Sequence, residues 1–286
     1  MYTATRINSF ARRNGASGIT SREPLTLDQI RRYAPSVFAE SKHDSRSDRF
    51  AYIPTSQIVE HLMSKDYGVF AVNQGGSRDE EKRGFTKHML RLRPLSQTLQ
   101  VGGTHNELVL VNAHDGTSAY RLMAGVFRLV CSNGLIVAQS VLDDIRIPHT
   151  GNILHEVSDG VLRMTGDLPK LGQAVESMQQ LALSYDEQRA FSRAALLLKY
   201  DDGKEPIKPE DALYARRAED KPATLWNTLN TVQESLIRGG QRYITQTERG
   251  IQRRTTSPVN SVSGQTSINR ALWALAEEMK KIKSAA

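Results

Sequence analysis

A turn signal in the middle of the chain constrains the fold more than any other feature of the sequence. Asp115-Gly116 separates two apolar runs, Glu107–Val111 and Ala119–Met123. Both residues of this dipeptide tolerate the positive φ of a tight hairpin turn, which allows the flanking strands to pair antiparallel. The sequence therefore predicts an antiparallel β-hairpin over residues 107–123.

A second turn dipeptide, Asn133-Gly134, lies further along the chain. The apolar segments Gly125–Cys131 and Leu135–Ala138 flank it, and they are typical either of a second hairpin or of the start of a buried helix. Hydrophobic periodicity does not distinguish these two structures over runs this short. Lys87–Leu95 alternates more regularly and is predicted to be a strand, whereas Thr55 is predicted to cap the start of a helix.

The pattern changes after Pro169, where apolar residues recur at helical spacing. Ser184 and Glu187 match a capping box, and Thr224–Ile237 and Ile268–Ile282 each carry an apolar stripe. The sequence thus predicts an α+β fold, with a β-rich N-terminal and central half of antiparallel hairpins and a helical C-terminal half. The predicted parts of this one structural unit are a basic flexible arm at 1–24, a β-rich α+β core at 25–165, and a helical region at 166–286 with a polar linker at 201–222 and a basic loop at 239–266.

Charge and composition narrow the class of protein. The 286 residues include 38 Lys and Arg against 31 Asp and Glu, a net charge of +7, and nucleic acid is the commonest partner of a basic chain. No run approaches the roughly 18 apolar residues of a transmembrane helix, and the polar, basic first residues predict no secretory signal. The single cysteine, Cys131, excludes an internal disulfide framework. We therefore expect a cytoplasmic protein that does not contact a membrane.

Five cations stand close together before and within the strand predicted at Lys87–Leu95. In a strand, Lys87, Arg91 and Arg93 share one face and form a row of cations about 6–7 Å apart, close to the spacing of backbone phosphates. The alternative is a solvated strand face that Glu80 and Glu81 balance. The candidate phosphate-binding residues here are Lys82, Arg83, Lys87, Arg91 and Arg93.

A second basic segment, Arg238–Arg254, contains five arginines and one acidic residue, Glu248. It lacks a core-forming apolar stripe, which predicts a mobile flap. Guanidinium groups bind phosphates in bidentate fashion, and a tyrosine stacks on an unpaired base. The alternative is a disordered surface loop without a partner. The candidate nucleic-acid-binding residues here are Arg238, Arg242, Tyr243, Arg249, Arg253 and Arg254.

Two further groups of residues raise the question of catalysis. One group has the residue types of a nucleophile site, namely Cys131, His114 and Asp115. However, the His-Asp pair also fits the predicted turn, and Cys131 lies in an apolar run that is typical of a buried structural cysteine. The candidate metal ligands follow no recognised spacing. They are Asp143, Asp144, His149, His155 and Glu156. The sequence contains no nucleotide-binding glycine motif, and we expect no catalytic residue, no metal and no cofactor.

Several strings of residues resemble a widespread family of phage- and plasmid-encoded proteins that is known only as a domain of unknown function. The strings follow one order and together span roughly residues 50–275, which is most of the chain. They are Tyr52–Thr55, Gly84–Arg93, Val111–Tyr120, Gly125–Leu135, His149–Gly151, Leu225–Asn230, Gln233-Glu234, Gly239-Gly240 and Ile268–Trp273. The resemblance implies a context of prophages, integrative elements and conjugative plasmids, and it implies no catalytic role.

The expected function combines this context with the two basic segments. We expect a non-enzymatic nucleic-acid-binding protein of a mobile genetic element, which assists single-strand DNA binding, annealing or recombination. Two alternatives stay open: a counter-defence protein that binds and inhibits a host nuclease or a restriction or CRISPR complex, and a metal-dependent nuclease. Single-stranded DNA is the expected partner, with a host defence protein as the alternative partner. A homo-oligomer is the expected assembly, because repeated subunits add avidity to backbone binding.

Overall fold

The computed structural model describes residues 8–11, 13–44, 52, 54–96, 104–128, 134–136, 144–147, 152–248 and 250–285. These residues form an α+β structure, with antiparallel strands in the first half and helices in the C-terminal half, as the sequence predicts. The chain divides into two compact units, one of residues 1–134 and 141–169 and the other of residues 135–140 and 170–286. No helix among the described residues is both long enough and apolar enough to cross a membrane.

Eight strands form the main sheet. They lie in the sheet in chain order from β1 to β7, and β8 pairs with β6. Their bounds are β1 Asn8–Ala11, β2 Ser17–Thr20, β3 Tyr67–Gln74, β4 His88–Pro94, β5 Thr104–Asn112, β6 Tyr120–Arg128, β7 Gly134–Ile136 and β8 Ile145–Ile147. Consecutive strands from β1 to β6 pair antiparallel. Such a meander brings residues that are distant in sequence side by side on neighbouring strands.

The hairpin predicted around Asp115-Gly116 is confirmed. Strands β5 and β6 pair antiparallel on either side of this turn, and Gly116 adopts a φ of +77°. Strand β6 continues to Arg128 and β7 follows at Gly134–Ile136, so the described part of the next apolar run is strand rather than helix. Cys131 lies outside the described residues.

The two N-terminal strands lie at one edge of the sheet. Strand β2 pairs with β3 on one side and with β1 on the other. The sequence analysis assigned residues 1–24 to a flexible basic arm, whereas the structure has paired strands at Asn8–Ala11 and Ser17–Thr20. Edge strands are short and carry polar residues, which conceals the alternation that would reveal them in the sequence.

Two short helices precede the central strands. Helix α1 (Leu27–Tyr33) begins at a capping box formed by Thr26 and Gln29. Helix α2 (Thr55–Met63) begins directly after Pro54, which occupies the N-cap position. The prediction that Thr55 caps this helix is therefore wrong by one position, and the threonine hydroxyl instead forms hydrogen bonds inside the first unit.

Both faces of the central strands are buried, and one of them carries the core leucines of the first unit. These fully buried leucines are Leu90, Leu92, Leu108, Leu110 and Leu122. Helix α3 (Ile153–Gln180) covers this face with its residues up to Pro169, and the Asn106 amide donates a hydrogen bond of 2.8 Å to the carbonyl of Leu168. Side-chain alternation places Val109 and Met123 on the opposite face, where they are buried as well.

Helix α3 begins earlier than the sequence pattern indicates. Helical character was predicted only after Pro169, but the helix starts at Ile153 and contains this proline. Gly160 explains part of the difference, since glycine and proline both weaken a helix pattern. A Cβ atom at Gly160 would lie 3.2 Å from the Ile145 side chain, so the close approach of helix and sheet favours glycine there.

The second unit consists of helices and one β-hairpin. Besides the end of α3, its elements are α4 Tyr185–Leu196, α5 Pro209–Ala212, α6 Leu225–Arg238, β9 Arg242–Thr247, β10 Gly250–Thr255 and α7 Val262–Ala285. Helix α6 is central, because 12 of its 14 residues are buried. The capping box of Ser184 and Glu187 is confirmed at the start of α4. The predicted basic loop at 239–266 contains the β9–β10 hairpin and the start of α7.

Candidate functional site

The predicted row of cations on β4 has the expected register but not the expected exposure. Arg91 and Arg93 share one face of the strand, yet they are only 6% and 7% exposed. Their guanidinium groups bind the fully buried carboxylate of Glu107 at 2.6 and 2.8 Å. The two arginines share this one carboxylate, and Glu23 adds a further negative charge near Arg93. The expectation that these two arginines are exposed is therefore wrong, and their contact with phosphate stays a prediction.

Aromatic packing reinforces this interior role of Arg93. Its guanidinium carbon lies 3.5 Å from the centre of the Phe70 ring, a cation–π contact. Burial lowers the pKa of Arg93, while the charge of Glu107 acts in the opposite direction. Sequence reasoning did not find this cluster, because its carboxylate comes from the neighbouring strand β5.

Lys82 and Arg83 lie in the loop between β3 and β4, where acidic neighbours pair with them. Lys82 Nζ is 3.5 Å from Asp79, and Arg83 Nη1 is 2.6 Å from Glu80. Solvated pairs of this kind balance charge and add little stability. Lys87, directly before β4, is half-buried. The geometry of this loop agrees with the alternative of a solvated, charge-balanced segment.

The second basic segment forms a two-stranded hairpin with one fully exposed side. Strands β9 and β10 pair in register, with Arg253 opposite Ile244 and Ile251 opposite Gln246. Side chains alternate between the two sides of a strand. We call the exposed side the outward face, and it consists of Arg242, Ile244, Gln246, Ile251, Arg253 and Thr255.

The charge of this hairpin is positive and largely uncompensated. Among the described residues, neither Arg242 nor Arg253 forms an ion pair, and Arg254 donates a 2.9 Å hydrogen bond to the Gln252 side chain. The one acidic residue of the hairpin is Glu248, next to the tip. Arg249 lies outside the described residues. The outward face therefore presents two arginines to solvent together with two large aliphatic side chains.

The base of the hairpin is fixed to the end of helix α6. Gly240 N–H donates to the Thr256 carbonyl at 2.8 Å, and Thr256 N–H donates to the Gln241 carbonyl at 2.9 Å. Gly239 adopts a φ of +64°, and a Cβ atom there would lie 2.4 Å from the Thr256 carbonyl oxygen. Arg216 donates to the Gly239 carbonyl at 2.7 Å. The segment predicted as a mobile flap is thus a paired hairpin with a hydrogen-bonded base.

The remaining predicted residues of this segment have other positions. Arg238 binds Glu234 at 2.6 Å, and the same buried carboxylate binds Arg217 at 2.8 Å, so Arg238 belongs to an ion cluster at the end of α6. Tyr243 and Arg254 lie opposite each other on the second side of the hairpin, where the tyrosine is half-buried. Of the five candidates that the structure describes, Arg242 and Arg253 are the ones on the outward face.

A second cluster, which sequence reasoning missed, lies inside the first unit. The Thr55 hydroxyl is 2.9 Å from His88 Nε2 and 3.1 Å from His114 Nε2. The Asn112 amide donates to the same hydroxyl at 3.1 Å, and the Tyr120 hydroxyl lies 3.5 Å away. All five side chains are fully buried. We call this cluster the polar centre.

Burial disfavours charge on two groups of the polar centre. Burial lowers the pKa of His88 well below its usual value, and the neighbouring His114 lowers it further. Burial also raises the pKa of Tyr120. The second ring nitrogen of His88 is 2.9 Å from the Ser36 hydroxyl. This fully buried network links α2 to three strand ends and to the segment of Ser36, and its hydrogen bonds hold these elements together.

The candidate catalytic residues are not brought together among the described residues. Asp144 binds Arg121 at 2.7 Å, and His155 pairs with Asp159 at 3.3 Å on helix α3. Cys131, Asp143 and His149 lie outside the described residues. Within the described part of the chain, no three His, Cys, Asp or Glu side chains group as metal ligands.

The residues of the polar centre were visible in the sequence only as part of the family resemblance. Thr55, His88, Asn112, His114 and Tyr120 all lie within the strings that carry the family resemblance. Three separate strings of the sequence therefore meet around one hydroxyl. Shared strings mark residues that a family needs, but they do not distinguish a structural need from a binding site.

Comparisons with known proteins agree with this resemblance. The family described as "Domain of unknown function (DUF932)" matches residues 42–273. Two proteins of Escherichia coli (strain K12), "UPF0380 protein YfjQ" and "UPF0380 protein YafZ", are each 37% identical to this chain over 270 residues, which cover 94% of this chain and 97% of each relative. No solved structure matches the chain.

Proposed function

The chain belongs to the DUF932 family, and we propose that it binds single-stranded DNA through the outward face of its β9–β10 hairpin. The observation that carries this proposal is the exposure, side by side, of Arg242 and Arg253 with Ile244 and Ile251 on an anchored hairpin. Cations on such a face bind phosphates, and the apolar side chains offer contact area to bases.

The spacing of the two arginines suits a nucleic-acid backbone. Arg253 is paired with Ile244, two residues from Arg242 on the same side of the hairpin, so the arginines are diagonal neighbours. Diagonal neighbours on a two-stranded ribbon lie about 7–8 Å apart, close to the distance between successive phosphates. Each planar guanidinium group can form two parallel hydrogen bonds to a phosphate.

Exposed isoleucines favour a single strand over a duplex as the ligand. In a duplex the faces of the bases are stacked inside, whereas a single strand presents them to solvent. Covering an apolar side chain contributes about 25 cal/mol per Å² of buried surface, which supplements the salt-dependent phosphate contacts. The proposed role is non-enzymatic, in the cytoplasm, on DNA of a mobile genetic element.

Equilibrium binding tests the proposal. A fluorescein-labelled thymidine oligonucleotide is titrated with the full-length chain, and its anisotropy is measured at about 50 mM salt, where phosphate contacts are strong. R242A/R253A removes both outward arginines and should weaken binding by about tenfold or more.

The matched control is R189A/R193A. It removes the same net charge from exposed arginines of α4 that already pair with Glu210 and Asp202. The control should change affinity by less than about twofold, because its arginines contact no phosphate in this account. A wild-type chain that binds no DNA at this salt, or two variants with equal losses, would contradict the proposal.

A further inference from the structure

The two isoleucines of the outward face are unusual for their exposure. Ile244 is 70% exposed and Ile251 is 73% exposed, the highest values among the exposed large hydrophobic side chains of the described residues. A single exposed aliphatic residue on a protein surface is ordinary. Two on the same side of one two-stranded hairpin form a small apolar surface that nothing within the hairpin covers.

Along the hairpin, Arg242 lies nearest the base and Ile251 nearest the tip, while Arg253 and Ile244 are paired between them. Arg242 is the first residue of β9, next to the anchored base, whereas Ile251 follows Gly250 at the tip. Ile244 and Ile251 are diagonal neighbours, so they form one continuous apolar surface toward the tip. Isoleucine is stiff at χ1, which makes this surface a defined shape.

The charge along the hairpin indicates which part of a DNA strand the isoleucines meet. Glu248 is followed by Arg249 in the sequence, so the residues between the two strands carry no net charge. Arg242 and Arg253 lie further from the tip than Ile251, and they attract phosphates. A strand held by these arginines therefore runs its backbone past them and directs its bases toward the isoleucines.

We infer that Ile244 and Ile251 form a wedge that inserts between adjacent bases of the bound strand, an inference that rests on the proposed DNA binding. Apolar side chains of this kind separate base steps when an arginine holds the neighbouring backbone. Insertion opposes base stacking, so the wedge favours strands that stack weakly. The preferred ligand is a pyrimidine-rich single strand, with thymidine runs bound more tightly than adenosine runs.

Base unstacking is the direct measurement. A thymidine oligonucleotide with one central pair of 2-aminopurines becomes more fluorescent when these bases unstack, and the wild-type chain should raise this fluorescence on binding. I244A/I251A should abolish the rise and weaken binding to the thymidine strand by about tenfold, as expected for the loss of apolar contacts. The same variant should bind thymidine and adenosine strands about equally.

A matched control removes exposed aliphatic side chains elsewhere. Leu162 and Ile282 are 64% and 65% exposed, and L162A/I282A should bind and unstack DNA as the wild type does. If I244A/I251A keeps the fluorescence rise and the thymidine preference, the wedge is wrong while DNA binding stands. If the wild-type chain binds no strand, the wedge and the proposed function fail together. Circular dichroism melting confirms that each variant is folded.

Discussion

The polar centre and the outward face are two clusters of polar residues that use their side chains in opposite ways. In the polar centre, one threonine hydroxyl joins two histidines and an asparagine, and no part of these side chains reaches solvent. On the outward face, Arg242 and Arg253 are exposed, and neither has an ion-pair partner among the described residues. The hydrogen bonds of the first cluster lie within the protein, although Asn112 Oδ1 has no partner among the described residues, whereas the arginines of the second are open to another molecule.

This difference shows that a string shared with a family does not by itself mark a binding surface. The strings of the family resemblance include Thr55, His88 and His114, whose hydrogen bonds hold the first unit together. Buried polar groups are costly when they lose a partner, which is a physical reason to keep such residues. Arg242 and Arg253 lie outside these strings and were found from charge, spacing and exposure.

The largest expected effect on stability concerns Glu107, the carboxylate that pairs with the buried guanidinium groups of Arg91 and Arg93. E107Q leaves two buried guanidinium groups without a counter-charge and should lower the free energy of unfolding by about 4 kcal/mol in urea titrations. It should not tighten DNA binding. Unchanged stability together with tighter, more salt-dependent binding would show that these arginines contact phosphate.

A substitution of Thr55 tests whether the polar centre stabilises the fold. T55V keeps the shape of the side chain but removes the hydroxyl that His88, His114 and Asn112 contact, and it should cost about 3 kcal/mol of unfolding free energy. The control S56A, one residue along α2, should cost less than about 0.5 kcal/mol. Folded T55V should bind DNA as the wild type does, and a loss of binding without a loss of stability would make the polar centre functional.

Acid should lower the stability of the first unit, which contains His88 and His105. Burial, and then the charge of Arg93, lowers the pKa of His105 to about 4, and burial lowers that of His88. The unfolded chain binds these protons near pH 6.5, so stability is complete above that pH and falls below it, by up to about 1.4 kcal/mol per pH unit for each histidine.

Urea unfolding between pH 7 and pH 5 measures this slope. H105Q removes one of the two histidines and should make the slope shallower by about 1.4 kcal/mol per pH unit. DNA binding by the folded chain should be equal in H105Q and wild type, because His105 is not part of the outward face. An identical slope in H105Q and wild type would contradict the lowered pKa of His105 in the folded chain.

The sequence predicted those elements whose signal is local. The hairpin around Asp115-Gly116 and the capping box at Ser184 depend on residues within a few positions of each other. The start of α3 at Ile153 was missed, because Gly160 and Pro169 weaken its pattern while tertiary packing holds it. Local propensity is overridden in such places by contacts with the sheet.

The sequence likewise predicted only those features of the candidate site that depend on nearby residues. The net charge and spacing of the arginines in Arg238–Arg254 were visible in the sequence. The burial of Arg91 and Arg93 was not, because Glu107 becomes their neighbour only when β4 and β5 pair. Likewise, the outward face emerges only from the register of β9 and β10, which decides that Arg253 and Ile244 lie together.

The slope of binding affinity against salt tests the central claim most directly. For a single strand, the logarithm of the association constant falls with the logarithm of the salt concentration by about 0.7 for each phosphate contact. Removing the two outward arginines in R242A/R253A should therefore make the slope shallower by about 1.4, while R189A/R193A keeps the wild-type slope. A folded R242A/R253A variant with the wild-type slope would contradict the account, because the outward face would then contact no phosphate.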